Sequence, residues 1–443
     1  WVVCFCLAFG IGNIVLLEVF YPIFCKFELA QLLLVKYYNM IIKSSIYFCL
    51  LSVFIGGVMS DRKITVALNP GCNISNCKNM VLVHVKAEGK NDTLHHLWDF
   101  TGKPALLLAV TQPNATITIA WQEFSFGQEG AITIDPPPTY VYGVVIDQMI
   151  EFNDEEDTGA LNQSSSNSSY INLMDTKNFD WKMSNLTNSS SKASLTIEAT
   201  EYSDEQGGIK KTGIIRIEMS AYGGEDHGDA LPHLLHSGNA SQMDLTVEKL
   251  TTQYSNSRFG LHLVTVSSDS VNGTVTVRPR KTLDDEHAPG VFTMVEMLTP
   301  PAQAGQCGGY LQWRPVVYTS SAREMTSSTE TVEYGVAVPT EPSRTLNLTL
   351  LYSVFGYRLD EMLVVATNIT FGTAGDGFFR KYKYAAWTML VGYGHPPEEQ
   401  FSTLVALVLL LGLGLPAIVI LAGTVCIVVR RLQRNKDDLF LSR

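Results

Sequence analysis

Across residues 61–397, apolar and polar side chains alternate instead of recurring at helical spacing. In Asn114–Trp121 (NATITIAW), Ala115, Ile117, Ile119 and Trp121 fall on one side, and Asn114, Thr116 and Thr118 on the other. Thr345–Tyr352 (TLNLTLLY) repeats the pattern, with Leu346, Leu348, Leu350 and Tyr352 opposed to Asn347 and Thr349. A period of two with one apolar face is what half-buried antiparallel strands require. Further strands are predicted at Met80–Val85, Ser194–Ala199, Ile214–Ala221, Leu261–Val266, Thr274–Val277, Thr331–Val338 and Leu363–Thr367. Gly, Pro, Asn and Asp cluster between them, as in the turns of a sandwich. Met149 and Ile150 fit either a strand or a short helix ahead of the acidic run Asn153–Asp157. The expected fold class is all-β, an antiparallel sandwich-type ectodomain, with two subdomains if the chain divides at the polar excursion 153–191. The Phe179–Trp181 triplet (FDW) inside that excursion is expected to dock back on the fold. A second polar insertion spans Gly223–Gln242.

The pattern changes at both ends. Thr403–Val429 carries no charge. A helix rising about 1.5 Å per residue needs roughly 20 such residues to cross about 30 Å of hydrocarbon. A single membrane helix is therefore predicted over 401–429, with Pro416 as a point of kinking. Arg430, Arg431, Arg434 and Lys436 follow it and Glu398 and Glu399 precede it. By the positive-inside rule the tail 430–443 is cytosolic and the region 61–400 is lumenal or exterior. Residues 40–60 (MIIKSSIYFCLLSVFIGGVMS) have the layout of a signal peptide. Met40 would be the initiator, Lys43 the basic start, Ile46–Val58 the apolar stretch, and Val58 and Ser60 the small residues before a cut at Asp61. Residues 1–39, beginning at Trp1, then read as translated upstream sequence. A rival reading makes Trp1–Leu17 another membrane helix.

Glycosylation sequons support this placement. Asn-x-Ser/Thr occurs at Asn73, Asn91, Asn114, Asn162, Asn167, Asn185, Asn188, Asn239, Asn272, Asn347 and Asn368. All lie between the predicted cleavage site and the predicted span, and they take about half of all asparagines where Ser/Thr abundance alone gives roughly a sixth. Cysteines say less. Cys72, Cys77 and Cys307 fall in the ectodomain. Cys72–Cys77, which closes a small loop, is the first expectation for a disulfide; it leaves Cys307 odd, and three pairings stay open because sequence does not settle them. Cys426, inside the span, is expected to pack within the helix.

The net charge of −11 and the absence of a concentrated basic face argue against nucleic acid as a partner. Three polar clusters bear on catalysis or metal binding. Glu225–His236 (EDHGDALPHLLH) gathers histidines and acids, but Gly228 and Pro232 break any helix that would set zinc-ligand spacing, so an exposed loop is expected. Leu283–Pro289 (LDDEHAP) holds Asp284, Asp285, Glu286 and His287; neighbours on a strand face opposite ways, so a turn is expected, not an acid–base pair. His95 and His96, in TLHHLWDF beside Asn91, read as an exposed strand end. Nucleophile-elbow, zincin and phosphate-loop motifs are absent from the sequence. No catalytic, metal or cofactor-binding residue is predicted, and the chain reads as a non-enzyme.

Several segments together resemble the glycosylated lysosomal membrane protein family: TLHHLWDFTGKPALLLAVTQ (93–112), LDDEHAPGVF (283–292), LQWRPVVY (311–318), NITFG (368–372) and AAWTMLVGYGHPP (385–397). Trp313–Arg314–Pro315 and the Asp284–Pro289 stretch are the most specific pieces. The resemblance implies a single-pass type I protein of the lysosomal membrane with a sandwich-type lumenal region. It also implies a role as accessory subunit of a major-facilitator transporter that exports dipeptides, shielded by the glycan coat from lysosomal proteases. Vertebrate members end in a tyrosine-based sorting signal, whereas this tail (RRLQRNKDDLFLSR) has no tyrosine. Partner contact is expected from Tyr382–Pro397 and from Gly412, Gly414 and Ala417 on the helix, where small residues permit close packing. Lipid is met through that one helix. The alternatives are a membrane-anchored lysosomal hydrolase using the acids at 284–287, and a cell-surface adhesion or receptor ectodomain.

Overall fold

A computed structural model describes residues 62–161, 170–204, 208–284, 290–300, 308–399 and 403–441. The predicted signal peptide at 40–60 and the segment 1–39 lie outside the described residues. The chain begins as an antiparallel meander of β1 (Lys63–Leu68), β2 (Leu82–Glu88), β3 (Thr93–Asp99) and β4 (Ala105–Thr111). A small flap of β5 (Thr116–Ile119), α1 (Trp121–Ser125) and β6 (Ile132–Asp135) follows. The long β7 (Tyr140–Asn153) pairs with β4 along its first half and with β8 (Ile171–Asp175) along its second. A second sheet opens with β9 (Phe179–Asn188), β10 (Lys192–Asp204) and β11 (Ile209–Tyr222). The short hairpin β12 (Asp226–His227) and β13 (Leu235–His236) leads into β14 (Ala240–Glu248), which extends that sheet.

The chain then returns to the first sheet as β15 (Ser257–Ser270), beside β7. Next come β16 (Thr276–Asp284), β17 (Gly290–Leu298) and β18 (Gly309–Trp313) of the second sheet. After β19 (Val316–Tyr318), β20 (Ser328–Ala337) pairs through Ser328–Glu330 with β19 and through Thr331–Ala337 with β21 (Met362–Phe371) of the first sheet, joining the two. Between β20 and β21 lie α2 (Pro342–Thr345) and α3 (Leu350–Phe355). A short α4 (Phe378–Tyr382) precedes β22 (Tyr384–Tyr393), which enters the second sheet between β14 and β18. The polar stretch 153–191 thus supplies β8 to one sheet and β9 to the other. Phe179 is buried in the core and Trp181 packs against it, as the FDW triplet leads one to expect.

Two hydrophobic layers result. Between the sheets, Leu94, Trp98, Leu106, Leu108, Tyr142 and Val144 meet Leu195, Met243, Leu311, Trp313, Trp387 and Met389. Trp387 anchors this layer with edge and tilted contacts to Trp313 (6.0 Å) and Phe371 (5.9 Å); truncating such a residue to Ala costs about 3–5 kcal/mol. On its other face the first sheet is covered by the flap and by α2–α3, where Leu97, Leu107 and Val141 meet Trp121, Phe124, Leu346, Leu350 and Leu351. Gly143 permits this approach, because a Cβ there would stand 2.6 Å from Leu351 Cδ2. Strands covered on both faces carry near-continuous apolar runs, so β3 and β4 are buried at every position.

Double coverage corrects two expectations. His95 and His96 are not at an exposed strand end but in the middle of the buried β3. Thr345–Tyr352 is not a strand but the link between α2 and α3. Its buried leucines, Leu346, Leu350 and Leu351, follow helical spacing, and Leu348 is exposed with a φ of 62°. Thr349 caps α3, accepting from Tyr352 N at 3.3 Å. The other predicted strands form, with β2 beginning at Leu82 instead of Met80 and β16 at Thr276 instead of Thr274. Asn114–Trp121 keeps its alternation through β5 before Trp121 opens α1.

After β22, α5 (Thr403–Leu409), a π turn (Leu410–Gly414) and α6 (Leu415–Leu441) form one helical run. Its stretch Leu407–Arg431 is long and apolar enough to cross a membrane. Pro416 has no N–H for the Gly412 carbonyl and its ring crowds that turn, so the backbone widens before it. This is how the run accommodates the proline at which a kink is predicted.

The first sheet also carries histidines, His96 toward the inter-sheet core and His84 and His95 on the opposite face. His96 Nδ1 lies 2.8 Å from Ser241 Oγ on the opposite sheet, which also accepts from Trp98 Nε1 (3.1 Å). His84 Nε2 lies 2.9 Å from His95 Nδ1. Burial pushes His96 and His95 down to about 3 and His84 to about 4. Folded values below the unfolded value near 6.5 mean that, as pH falls from about 6.5 toward 4, the unfolded chain binds protons the folded chain refuses, and stability is lost. Asp99, raised by burial to about 6, acts the opposite way over the same window. His96→Gln is therefore expected to lose less stability than the wild type on acidification from about pH 6.5 to about 4, by up to about 1.4 kcal/mol per pH unit. Melting curves of the full-length protein across that range check this; parallel losses in both proteins would contradict it.

Candidate functional site

The site is the neck between β22 and the apolar helix. Trp387, Met389 and Val391 face the inter-sheet core, so β22 is fixed on both edges and one face. Alternation turns Gln312 and Arg314 of the adjoining chain to the outer face of the second sheet, and the neck is laid across them. Gly394 N donates to Gly308 O (2.9 Å). Pro397 O accepts from Gln312 Nε2 (3.4 Å) and Arg280 Nη2 (3.3 Å). Glu399 places one carboxylate oxygen 2.8 Å from His227 Nε2 and the other 3.4 Å from Arg314 Nη2. Arg280 also reaches Glu398 (3.6 Å) and donates through Nε to Glu296 (2.5 Å).

Glu296 is buried, and a buried carboxylate needs charged partners. Arg278 (3.1 Å) and Arg280 supply them from the neighbouring strand. The guanidinium of Arg314 also sits 4.2 Å from the Phe292 ring centre. The carboxylates of the neck are thus held by cations and serve attachment. Two further carboxylate clusters are structural. Arg258 is buried against Asp154, Asp157 and Asp376, and Lys211 against Glu151 at 2.8 Å. A cleft of about 610 Å³ lies between the flap and α2–α3. Asp99 is the only acid among its described lining residues, and Lys103 at its edge is engaged by Asp147 and Asp175.

The predicted site residues fall as follows. Asn73, Asn91, Asn114, Asn185, Asn188, Asn272 and Asn347 are exposed, and Asn239 and Asn368 are half-buried. Asn239 Oδ1 accepts from Arg62 Nε (3.0 Å) and Asn368 Oδ1 lies 2.7 Å from His262 Nδ1. Those contacts use the carbonyl oxygen and not the amide nitrogen that an N-glycan takes. Asn162 and Asn167 lie outside the described residues, as does Cys307. Cys72 and Cys77 are joined by a disulfide. The Glu225–His236 segment is exposed at Glu225, Asp226, Asp229 and Ala230, as expected, but its ends pair as the β12–β13 hairpin. It docks through His227 on Glu399, and His236 is buried with its ring stacked 3.4 Å from that of Tyr222. No cluster of metal-binding side chains occurs among the described residues.

Asp284 ends β16, and the turn that follows, 285–289, lies outside the described residues. Of Tyr382–Pro397, Ala385–Val391 is buried in the second sheet, so those side chains do not face a partner. Tyr382 and His395 remain exposed. Gly412, Gly414 and Ala417 lie on the apolar helix, and a Cβ on either glycine would meet nothing within 4 Å. The neck contacts of Arg280, Gln312, Arg314 and His227 are absent from the sequence reading. Their signal is the shared face of Gln312 and Arg314 beside a Glu398–Glu399 pair just before the span.

The family model described as glycosylated lysosomal membrane protein matches residues 81–434. The glycosylated lysosomal membrane protein of Danio rerio is 30% identical over 380 residues, covering 84% of this chain and 89% of its own. Protein B of that name from Xenopus laevis is 28% identical over 389 residues, covering 85% and 92%. The Homo sapiens protein is 26% identical over 352 residues, covering 77% and 82%. The chain belongs to the glycosylated lysosomal membrane protein family.

Removing one partner of a buried charged contact costs about 2–5 kcal/mol. Arg314→Ala in the full-length protein is therefore expected to raise the rate of proteolytic cleavage between Tyr393 and Thr403 by at least about tenfold. Limited proteolysis with mass mapping reads this, and an unchanged rate would contradict the attachment.

Proposed function

We propose, from membership of this family, that the chain is a type I accessory subunit. Its glycan-covered domain stands in the lysosomal lumen, and its helix packs beside a major-facilitator dipeptide transporter. Orientation follows from the basic residues Arg430, Arg431, Arg434 and Lys436 beyond the helix, with every sequon before it. The observation that carries the role is the neck. Contacts from Gly394 to Glu399 hold the domain against the point where the chain enters the helix. A domain held there covers whatever membrane protein lies beside the helix. Each hydrated glycan then excludes proteases from backbone beneath it.

Gly412, Gly414 and Ala417 offer the transporter a surface for close helix contact. The test is affinity purification of the tagged full-length protein from gently solubilised lysosome-enriched membranes. A major-facilitator transporter is expected at near-equal amounts from the wild type, and several-fold less from Gly412→Leu/Gly414→Leu. Equal recovery from that variant would sink the helix contact, and absence of any transporter from the intact wild type would sink the role.

A further inference from the structure

We propose that the cleft between the flap and α2–α3 is the seat of the glycan on Asn347, whose first sugars lie in it against Phe126. Attachment is the first support. Asn347 is exposed, opens a sequon and is itself among the residues that line the cleft. Thr349 N donates to Leu346 O (3.2 Å), closing a tight turn with Asn347 and Leu348 at its centre. Leu348 takes a left-handed φ of 62° there, which a bulky side chain rarely adopts. Packing holds it so. A Cβ on Gly127 would stand 3.1 Å from Leu348 Cα, and one on Gly102 3.3 Å from Leu348 O. The turn that carries Asn347 is thereby pressed against both the flap and the β3–β4 connection.

Chemistry is the second support. A pyranose ring has an apolar C–H face and a rim of hydroxyls, so it suits an aromatic face flanked by hydrogen-bonding groups. Phe124 lies in α1 and Phe126 just past its end, yet Phe124 is buried and Phe126 is 64% exposed. Phe126 N donates to Glu123 O (3.1 Å) and Gly127 N to Phe124 O (2.9 Å), so the backbone that presents Phe126 is fixed. Leu348, 58% exposed, lines the same cleft. Two large apolar side chains left open at one cleft mark a contact surface. Arg344 on its wall donates through Nη1 to Glu341 (3.0 Å) and keeps further N–H groups for sugar hydroxyls.

Size is the third. The cleft of about 610 Å³ falls within the roughly 300–1,000 Å³ that encloses a drug-sized ligand, and two sugar rings are of that size. Covalent attachment has already brought them to it. A short tether corresponds to a millimolar effective concentration, so weak contacts suffice to fill the cleft. The sugars then bridge the flap and α2–α3, and belong to the outer layer of the fold as well as to the coat.

Glycosylation of Asn347 requires the lumenal placement proposed above, and no particular partner. The test takes the full-length protein from cells, in detergent, and follows glycan release by peptide-N-glycosidase F with site-specific mass mapping. Asn188 is the internal reference, on the edge strand β9 beside the exposed Thr187 and Ser189. Without denaturant, release at Asn347 is expected to be at least about tenfold slower than at Asn188, since covering an aromatic side chain is worth that factor or more. Phe126→Ala is expected to bring the two rates to within about twofold. Equal native rates in the wild type would overturn the proposal, as would slow release that Phe126→Ala leaves unchanged. An unmodified Asn347 beside a glycosylated Asn188 would overturn it as well. No glycan at any sequon would instead overturn the lumenal placement, and the proposal with it. The second measurement is thermal unfolding of Asn347→Gln, Phe126→Ala and the double variant. If sugar and ring act through one contact, the double variant loses no more Tm than the larger single loss; additive losses contradict the contact.

Discussion

The position of β22 constrains everything around it. It is an interior strand, hydrogen-bonded on both sides and packed by Trp387 into the inter-sheet core, yet the apolar helix begins soon after its end. A chain leaving an interior strand could swing over roughly 30 Å if residues 394–402 were unattached. The contacts of Pro397 and Glu399 remove most of that freedom. Side chains of the second sheet therefore hold the chain as far as Glu399, and the outer face of that sheet carries charge for the neck beside a small buried apolar cluster of Leu234, Ala240, Met294, Tyr310 and Leu390.

The two sheets divide the labour accordingly. The first is covered on both faces and supplies the bulk of the core, which is why its central strands tolerate polar residues only when these find partners, as His96 does with Ser241. The second is apolar inward and mixed outward, where Arg278 and Arg280 assemble around the buried carboxylate of Glu296 beside the apolar cluster of Met294, Tyr310 and Leu390. The exposed sequons sit in turns, at the flap, on the edge strand β9 and between α2 and α3. These are the places where a bulky modification displaces no packed side chain.

Much of the fold was legible because period-two alternation is a direct consequence of one buried face. It failed where that premise failed. Strand β3 is buried on both faces, so His95 and His96 looked too polar to be interior, although Leu94, Leu97 and Trp98 around them were not. Thr345–Tyr352 alternates by composition, but Thr349 caps a helix and Leu348 adopts a left-handed conformation, neither of which alternation can register. The apolar helix was readable from composition alone. The neck was not, because Arg280, the Gln312–Arg314 stretch and His227 come from three distant parts of the chain and only the folded structure brings them to Pro397, Glu398 and Glu399.

The central claim is that the neck fixes the domain on the helix. Cryo-electron microscopy of the full-length protein in nanodiscs tests it most directly, by the distribution of domain orientations relative to the disc. A single narrow orientation of the domain relative to the disc is the predicted result. A continuous spread of tilts, with the domain swinging about residues 394–402, would contradict the account.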